Sequence, residues 1–282
     1  MSTEFWIAQS FNGISYGALL FLLASGLSLI FGVMRVVNLA HGSYFMLGGY
    51  VGLTVALRTK SFTLACVASA VAIGLVGIGM ERFFLRRLHG QVLMTIGFAL
   101  IFQDLALLIW GGDPYTVPIP ALLTGTIRFA GAVFPIYRIF IVGVAIAVGL
   151  ALWLVLDRTR VGAMIRAAVD DAEMAGGVGI NVPRVSLAVF ALGAALAALG
   201  GVIGGGFLGV YPGADFEVLP YAFVVVIVGG LGSLPGAVAG SLLVGLLDNF
   251  GKALFPELSY FTLFAPMALI LAIRPTGLFG RS

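Results

Sequence analysis

Three long stretches of the sequence contain no charged residue, and this constrains the fold more than any other feature. Phe5–Met34, Val185–Ala214 and Val218–Leu247 are each 30 residues without an Asp, Glu, Lys or Arg. A helix needs roughly 20 apolar residues to cross a hydrocarbon core, and backbone groups inside lipid must satisfy their own hydrogen bonds. These stretches therefore predict an all-α, polytopic integral membrane protein.

Further apolar segments extend this prediction along the chain. They lie at Leu39–Leu57, Ser61–Met80, Gln91–Trp110, Ile139–Leu156 and Leu258–Ile273. A glycine-rich interruption at Gly229–Gly236 divides Val218–Leu247, so that stretch holds either one span or two short segments. We expect eight or nine spans in one transmembrane domain covering residues 1–282. A β-barrel is excluded, because its short segments of alternating apolar and polar residues do not occur here.

Composition and the placement of basic residues predict the environment and the orientation. With 61% hydrophobic and 10% charged residues, the chain lacks the polar surface that a soluble fold requires. The pI of about 9.2 reflects Lys and Arg in the loops and does not indicate a nucleic-acid partner. Glu81–Gly90 and Asp157–Arg184 are rich in Arg, which predicts that both face the cytoplasm. The amino terminus then lies outside and the carboxyl terminus inside.

Two segments place Gly or Pro beside polar residues in otherwise apolar sequence, and each predicts a broken helix. One lies within Val36–Gly52 and the other within Tyr211–Gly232. In the predicted orientation the first break is at the inner face and the second at the outer face. Two inverted halves, whose broken helices meet and line a substrate path, have this pattern. The pattern favours a transport protein.

The predicted path is lined by residues of the two breaks and by one charged residue. They are Asn38, His41, Gly42, Tyr44, Asp104, Tyr221, Gly229, Gly230 and Gly232. A charge at mid-bilayer costs about 2.5–3.5 kcal/mol, so Asp104 should face protein or water, and a structural pairing is its alternative role. For His41 the alternative is a hydrogen-bonded structural histidine. No metal site is predicted, since neither histidine has neighbours at ligand spacing.

The loop Asp157–Arg184 is the one segment with the character of a soluble protein. Its apolar residues from Thr159 to Gly177 fall on one helical face opposite charged residues, which predicts an amphipathic helix. Glycines and Pro183 end that helix. It either docks on another protein or lies on the lipid headgroups.

Five motifs, spread from the first span to the last residues, resemble the permeases of branched-chain amino acid ABC importers, in particular the LivH type. They are Gly-Leu-Ser-Leu-Ile-Phe-Gly (26–32), Val-Asn-Leu-Ala-His-Gly (37–42), Gly-Ile-Asn-Val-Pro-Arg-Val (179–185), Gly-Gly-Leu-Gly-Ser-Leu-Pro-Gly-Ala (229–237) and Arg-Pro-Thr-Gly-Leu-Phe-Gly (274–280). The resemblance implies import of leucine, isoleucine, valine or related amino acids across a bacterial or archaeal cytoplasmic (inner) membrane. It also implies a LivM-type second permease, two ABC ATPase subunits and an external substrate-binding protein that selects the substrate.

The sequence agrees with this division of roles, because it contains no G-x-x-x-x-G-K-[ST] phosphate loop. The chain is therefore expected to be a transport subunit and not an enzyme, with no cofactor of its own and with ATP used by the ATPase subunits. By the resemblance, Val161–Gly179 is the coupling helix that seats on the ATPase. Its candidate contacts are Arg166, Ala168, Asp170, Asp171, Ala172, Glu173 and Gly179.

Four cations near the predicted outer mouth are candidates for docking the binding protein. They are Arg58, Lys60, Arg128 and Arg138, with orientation and headgroup contact as alternative roles. Two other functions stay open. A permease for urea or short amides would share this architecture, because the binding protein does the selecting. An ion-coupled secondary transporter would need charged residues in mid-span, and Asp104 is the only obvious candidate.

Overall fold

The computed structural model describes residues 2–87, 90–129 and 131–280, and most of these residues are helical. The helices are α1 (Thr3–Met34), α2 (His41–Thr59), α3 (Phe62–Met80), α4 (Gln91–Trp110), α5 (Ile136–Arg158), α6 (Arg160–Asp170), α7 (Ala172–Gly177), α8 (Val182–Gly205), α9 (Ala214–Gly229), α10 (Leu234–Leu254) and α11 (Ser259–Ile273). A π-helical turn, Glu81–Leu85, continues α3. An antiparallel hairpin of β1 (Thr126–Phe129) and β2 (Ala132–Pro135) precedes α5.

Six of these helices are long and apolar enough to cross a membrane, namely α1, α3 with its π-helical turn, α4, α5, α8 and α10. The prediction of a polytopic helical membrane protein is confirmed, while the number of eight or nine spans stays a prediction. The stretch Val218–Leu247 is divided between two helices, α9 and α10, which agrees with the second of the two alternatives given above. The division falls at Gly230, whose φ of 107° favours a residue without a side chain.

Side chains that cap the helix starts explain several of the boundaries. The turn at residues 230–232, which we call the glycine turn, separates α9 from α10. The Ser233 hydroxyl then accepts a hydrogen bond from the Gly236 amide and so begins α10. The Asn181 side chain accepts from the Arg184 amide at the start of α8, where Pro183 stands in the first turn. Both are polar residues that bond the otherwise unpaired amides of a helix start.

Two buried helices, α1 and α8, form the centre of the bundle. Glycines allow their close approach, because a Cβ added at Gly26 would lie 2.5 Å from the carbonyl oxygen of Gly193. In the same way, a Cβ at Gly48 of α2 would lie 2.4 Å from the Cα of Ala198 in α8. In α3, α4 and α5 less than a third of the residues are buried, at 28%, 22% and 22%. These three helices therefore form the outside of the bundle.

The bundle has two ends, which we name by what lies there. At the hairpin end, Phe134 of β2 stacks edge-on against Phe11 in the first half of α1, with ring centroids 4.5 Å apart. At the α6 end, Leu29 and Val33 of α1 pack with Ile165 of α6. Because α1 spans the distance between the two ends, it provides a scale for the depth of other residues.

Candidate functional site

The helices α2 and α9 both begin inside the bundle, not at its ends. The His41 ring, at the first residue of α2, has its Nε2 2.9 Å from the carbonyl oxygen of Leu23. Leu23 lies 11 residues before Met34, the last residue of α1, which is roughly 16 Å along a helix. The connection between α1 and α2 therefore turns back into the bundle before α2 starts. This is the first predicted break.

The start of α9 meets the start of α2 at this depth. The Ser43 hydroxyl of α2 donates a hydrogen bond of 2.7 Å to Oδ2 of Asp215 in α9. A Cβ at Gly42 would lie 2.4 Å from the Asp215 carbonyl oxygen, so only glycine permits this contact. Helix amino termini carry partial positive charge, and the carboxylate of Asp215 lies where two of them converge. We call Asn38, His41, Gly42, Ser43 and Asp215 the crossing.

The crossing is buried inside the protein. Asn38, His41, Ser43 and the neighbouring Tyr44 are fully buried, and Asp215 is 2% exposed. The Nδ2 of Asn38, Nδ1 of His41 and Oδ1 of Asp215 have no hydrogen-bond partner among the described residues. The hydrogen bond of His41 to Leu23 fits a structural histidine. Four predicted path residues, Asn38, His41, Gly42 and Tyr44, thus lie in the packed core, and their place in a substrate path stays a prediction.

The remaining glycines of the predicted path lie at the α6 end. A Cβ at Gly229 would lie 2.1 Å from the Gly236 carbonyl oxygen, and one at Gly232 would lie 2.9 Å from the Cα of Gly32. The amides of Leu278 and Phe279 donate to the carbonyl oxygens of Val228 and Gly229 at 2.8 and 2.9 Å. The glycine turn is therefore packed against the segment that follows α11.

A cavity of about 340 Å³ opens at the hairpin end between α1, α5, α9, α10 and the segment after α8. This volume is at the small end of the range for ligand sites, roughly 300–1,000 Å³. Its lining residues are Asn12, Tyr16, Phe45, Arg138, Phe207, Leu208, Gly209, Tyr211, Ala214, Glu217, Val218, Tyr221, Asp248, Asn249 and Lys252. Tyr221 is the single predicted path residue among them. We call this space the outer cavity.

One wall of the outer cavity carries a charged network on α9 and α10. The Lys252 ammonium lies 2.8 Å from Oδ2 of Asp248, whose side chain is 3% exposed. The Tyr221 hydroxyl donates to Oδ1 of Asp248 at 3.1 Å and accepts from Lys252 at 3.2 Å. The Lys252 ammonium also lies 5.3 Å from the centre of the Tyr221 ring. This cation and this carboxylate neutralise each other inside the wall.

Two further charges line the outer cavity, Arg138 of α5 and Glu217 of α9, and each is bonded to a neutral group. The Arg138 guanidinium donates to the Asn12 amide oxygen and lies 4.7 Å from the centre of the Phe207 ring. The Tyr211 hydroxyl donates to Oε2 of Glu217 at 2.6 Å. Burial and this hydrogen bond raise the pKa of Tyr211 to about 12, so the hydroxyl keeps its proton at neutral pH.

Asp104 lies apart from both the crossing and the outer cavity. It is exposed on the outer surface of α4, between the exposed side chains of Ile101 and Leu108. Within the described residues, no Lys, Arg or His nitrogen lies within 4.0 Å of its carboxylate. The structure thus places this carboxylate on a surface that faces away from its own chain.

The predicted single helix from Thr159 to Gly177 is two helices in the structure, and this prediction is corrected. Asp171 has an extended backbone, with φ of −154°, and its side chain accepts from the amides of Glu173 and Met174. An Asp side chain that bonds the backbone in this way competes with a continuous helix. The chain therefore bends between α6 and α7.

The candidate coupling residues fall into a buried group and an exposed group. Ala168 is 3% exposed, because it packs on α1 and α8 of its own chain. Arg166, Asp170, Asp171, Ala172, Glu173 and Gly179 are exposed. Arg166 forms an ion pair of 3.5 Å with Asp157. Two apolar side chains outside the predicted set, Met174 and Val178, are 67% and 75% exposed.

The four cations predicted to dock a binding protein also separate. Three of them are exposed at the hairpin end: Arg58 in the last turn of α2, Lys60 directly after α2, and Arg128 on β1. Arg138 instead belongs to the wall of the outer cavity.

Several charged residues at these sites were not predicted. Asp215, Glu217 and Asp248 each border a stretch that was treated as charge-free, and Lys252 follows Asp248 by four residues. The spacing of Asp248 and Lys252 by four residues is a signal that could have identified them, since such residues meet on one helix face.

Comparison with known proteins finds relatives that match nearly the whole length of this chain. The model of the family described as branched-chain amino acid transport system / permease component matches residues 9–272. The high-affinity branched-chain amino acid transport system permease protein BraD of Pseudomonas aeruginosa is 32% identical over 98% of this chain and 96% of its own. The corresponding LivH protein of Escherichia coli K12 is 30% identical over 100% of this chain and 98% of its own.

A solved structure shares the fold. PsaBC from Streptococcus pneumoniae in complex with Fab aligns with a TM-score of 0.51 over 93% of this chain and 89% of that chain. Its sequence identity is 11%, so this likeness supports the fold alone.

Proposed function

Because this chain belongs to the family of branched-chain amino acid transport system permease components, we propose that it imports leucine, isoleucine, valine or a related amino acid. The observation that carries this proposal is the full-length match to relatives named as high-affinity permeases for these substrates. The chain is then the membrane subunit of an ATP-driven ABC importer.

The importer contains further subunits that supply energy and select the substrate. Two ABC ATPase subunits hydrolyse the ATP, since this chain has no phosphate loop. Their docking at the α6 end is supported by Met174 and Val178, whose apolar side chains are exposed beside charged residues. An external substrate-binding protein delivers the amino acid at the hairpin end.

A LivM-type second permease completes the path, and α4 offers a surface for it. Asp104 lies on an outer, apolar face of α4, and among the residues that the structure describes no cation lies within 4.0 Å of it. A carboxylate facing lipid would cost about 2.5–3.5 kcal/mol, whereas a partner that donates hydrogen bonds removes that cost. We therefore place a neighbouring subunit, not lipid, against this face.

The topology we propose has eight or nine crossings of a bacterial or archaeal cytoplasmic membrane, in one domain covering residues 1–282. The amino terminus lies outside, so the hairpin end faces outward and the α6 end faces the cytoplasm. Two inverted halves are supported by α2 and α9, which start side by side and run towards opposite ends. Half-helices that meet in this way are typical of transporters with inverted repeats.

Uptake by the reconstituted importer tests the proposal. The two permeases and two ATPases are placed in vesicles containing ATP, and the binding protein is added outside. We expect accumulation of labelled leucine that requires ATP and is competed by isoleucine and valine. Accumulation of urea or acetamide instead of leucine would show that the substrate is urea or a short amide and not an amino acid. Accumulation driven by an ion gradient without ATP would overturn the ABC importer.

Substitution of the exposed apolar pair tests the docking of the ATPase. Replacing Met174 and Val178 together with Glu should abolish stimulation of ATP hydrolysis by the binding protein, because two charges then enter an apolar contact. Replacing both with Leu is the matched control and should preserve stimulation. Ala168 is unsuitable for this test, since its side chain packs within its own chain. Full stimulation in the Glu variant would place the ATPase elsewhere.

A further inference from the structure

The charges that line the outer cavity sum to zero but are not all paired. Arg138 and Lys252 are cations, and Glu217 and Asp248 are carboxylates. Lys252 and Asp248 form an ion pair of 2.8 Å, and the Tyr221 hydroxyl bonds both of them. Since this pair is neutral as a unit, Arg138 and Glu217 are the two charges left to face the space.

The Arg138 guanidinium keeps donors for a negatively charged group. Its contacts in the structure are the Asn12 amide oxygen and the face of the Phe207 ring, and both are neutral. Among the residues described, no carboxylate oxygen lies within 4.0 Å of its nitrogens. A guanidinium has five N–H donors, and its fork matches a carboxylate in two-point contact.

The Glu217 carboxylate keeps acceptors for a positively charged group. Oε2 accepts a hydrogen bond of 2.6 Å from Tyr211, and no cationic nitrogen of the described chain lies within 4.0 Å. A carboxylate has about four acceptor positions, so Oε1 is available to an ammonium group. Phe207 under the guanidinium and Tyr211 beside Glu217 belong to the same short segment after α8, which holds both charges at one cavity.

The rest of the lining suits an aliphatic group. Phe45, Leu208 and Val218 present apolar side chains to the cavity. Sites with a few placed polar groups among apolar side chains are typical of small-molecule binding. A ligand with a single charged group would leave either Arg138 or Glu217 without a charged partner, and a neutral amide would leave both without one.

We propose that the outer cavity is a binding site, on the permease itself, for a free aliphatic α-amino acid in its zwitterionic form. The α-carboxylate binds Arg138, the α-ammonium binds Glu217, and the side chain lies against Phe45, Leu208 and Val218. This inference rests on the proposed import of amino acids and adds a site beyond that of the external binding protein. It also favours an amino acid over urea or a short amide as the substrate.

Binding to the assembled importer without its binding protein tests the site. The complex of permeases and ATPases is placed in nanodiscs, and bound tritiated leucine is measured by scintillation proximity. Unlabelled leucine should compete, whereas leucinol, which lacks the carboxylate, and 4-methylpentanoate, which lacks the ammonium, should compete at least about tenfold less well. Equal competition by either analogue, or no leucine binding, overturns the zwitterion site.

Matched variants assign the two charged contacts. Arg138→Gln and Glu217→Gln should each weaken leucine binding by about tenfold or more. Arg82→Gln and Glu257→Gln remove one charge of the same sign from exposed positions that do not line the cavity, and should bind as the parent does. If Arg138→Gln does not assemble, the proposal is tested by Glu217→Gln and by competition with leucinol and 4-methylpentanoate. Neither test requires the Arg138 variant.

The two proposals fail in different ways. Normal ATP-driven leucine uptake with the binding protein present, together with no leucine binding in its absence, overturns the cavity site alone. Absence of leucine uptake by a complex that hydrolyses ATP overturns the proposed substrate as well.

Discussion

The crossing and the outer cavity both place polar side chains inside an apolar bundle, yet they differ in access and in charge. The crossing has one ionisable carboxylate, Asp215, at the meeting of two helix starts, and it is sealed by backbone contacts. The outer cavity has two cations and two carboxylates around an open space of about 340 Å³. The polar residues of the crossing are therefore packed against protein, whereas those of the outer cavity surround a space.

The difference indicates a separate role for each region. Backbone groups freed by a break are tolerated at membrane depth when protein buries them, and the crossing meets that condition. Its polar atoms hold α2 to α9, so we assign it to the scaffold. The outer cavity offers charges with unused bonding capacity, so we assign it to the substrate. Four experiments test these two roles.

The largest effect is expected for Gly42→Leu in the crossing. Its Cβ would lie 2.4 Å from the Asp215 carbonyl oxygen, so the starts of α2 and α9 would separate. Overpacking of a core costs about 1–3 kcal/mol and more when backbone must move, so we expect little assembled protein by size-exclusion chromatography. Gly143→Leu is the control, because no atom lies within 4 Å of its added Cβ. If the Gly42→Leu protein assembles but does not transport leucine, Gly42 lines the substrate path.

The next effect is expected for Asp215→Ala. The variant removes the hydrogen bond from Ser43 and the charge that two helix starts favour. Interhelical hydrogen bonds in membranes contribute about 0.6–1.7 kcal/mol, and we expect the free energy of unfolding to fall by roughly that amount. Thermal melting of the purified permease pair measures it, with Asp113→Ala in an exposed loop as the control. Unchanged melting would mean that the crossing does not depend on this bond.

A carboxylate of the outer cavity should behave differently. In Asp248→Ala the Lys252 side chain, which is 49% exposed, can be hydrated, so the loss of stability should stay below about 1 kcal/mol. The cavity gains a net positive charge, and leucine uptake at low concentration should fall by roughly fivefold, which corresponds to about 1 kcal/mol. If Asp248→Ala lowers the melting temperature as much as Asp215→Ala and transports leucine normally, Asp248 belongs to the scaffold and not to a substrate site.

The smallest effect is expected at the rim of the hairpin end. Replacing Arg58 and Arg128 with Gln should slow association of the binding protein by up to about tenfold at low salt, because exposed charges steer encounter. The difference should disappear at high ionic strength. Arg82→Gln, at the α6 end, is the control for net charge. Stopped-flow association rates that match the parent at low salt would limit these cations to orientation in the membrane.

The bounds of a helix could be predicted from the sequence where local residues alone determine where it begins and ends. The prediction for α4, Gln91–Trp110, agrees with the structure at both ends, since glycines flank a continuous apolar run. The division of Val218–Leu247 followed from its glycines. By contrast, the bend at Asp171 was missed, because apolar periodicity continues through it while the side chain caps a new helix.

The site could be predicted only in part, because its residues are distant in sequence. Ser43 and Asp215 are 172 positions apart, and no local pattern pairs them. Asp248 is the first residue after a stretch without charge, so it was treated as a flank. Tyr221 was predicted for the path and does line the outer cavity. What the sequence could not indicate is which polar groups face each other.

The segment after α11 has a consequence for how the protein is made. Its amides at Leu278 and Phe279 bond the carbonyl oxygens of Val228 and Gly229, which would otherwise be unpaired at the end of α9. Those donors leave the ribosome only after α10 and α11 have been synthesised, since they follow both helices in the chain. The half-helix α9 therefore acquires its full set of bonds late, whereas α2 is translated before most of its partners.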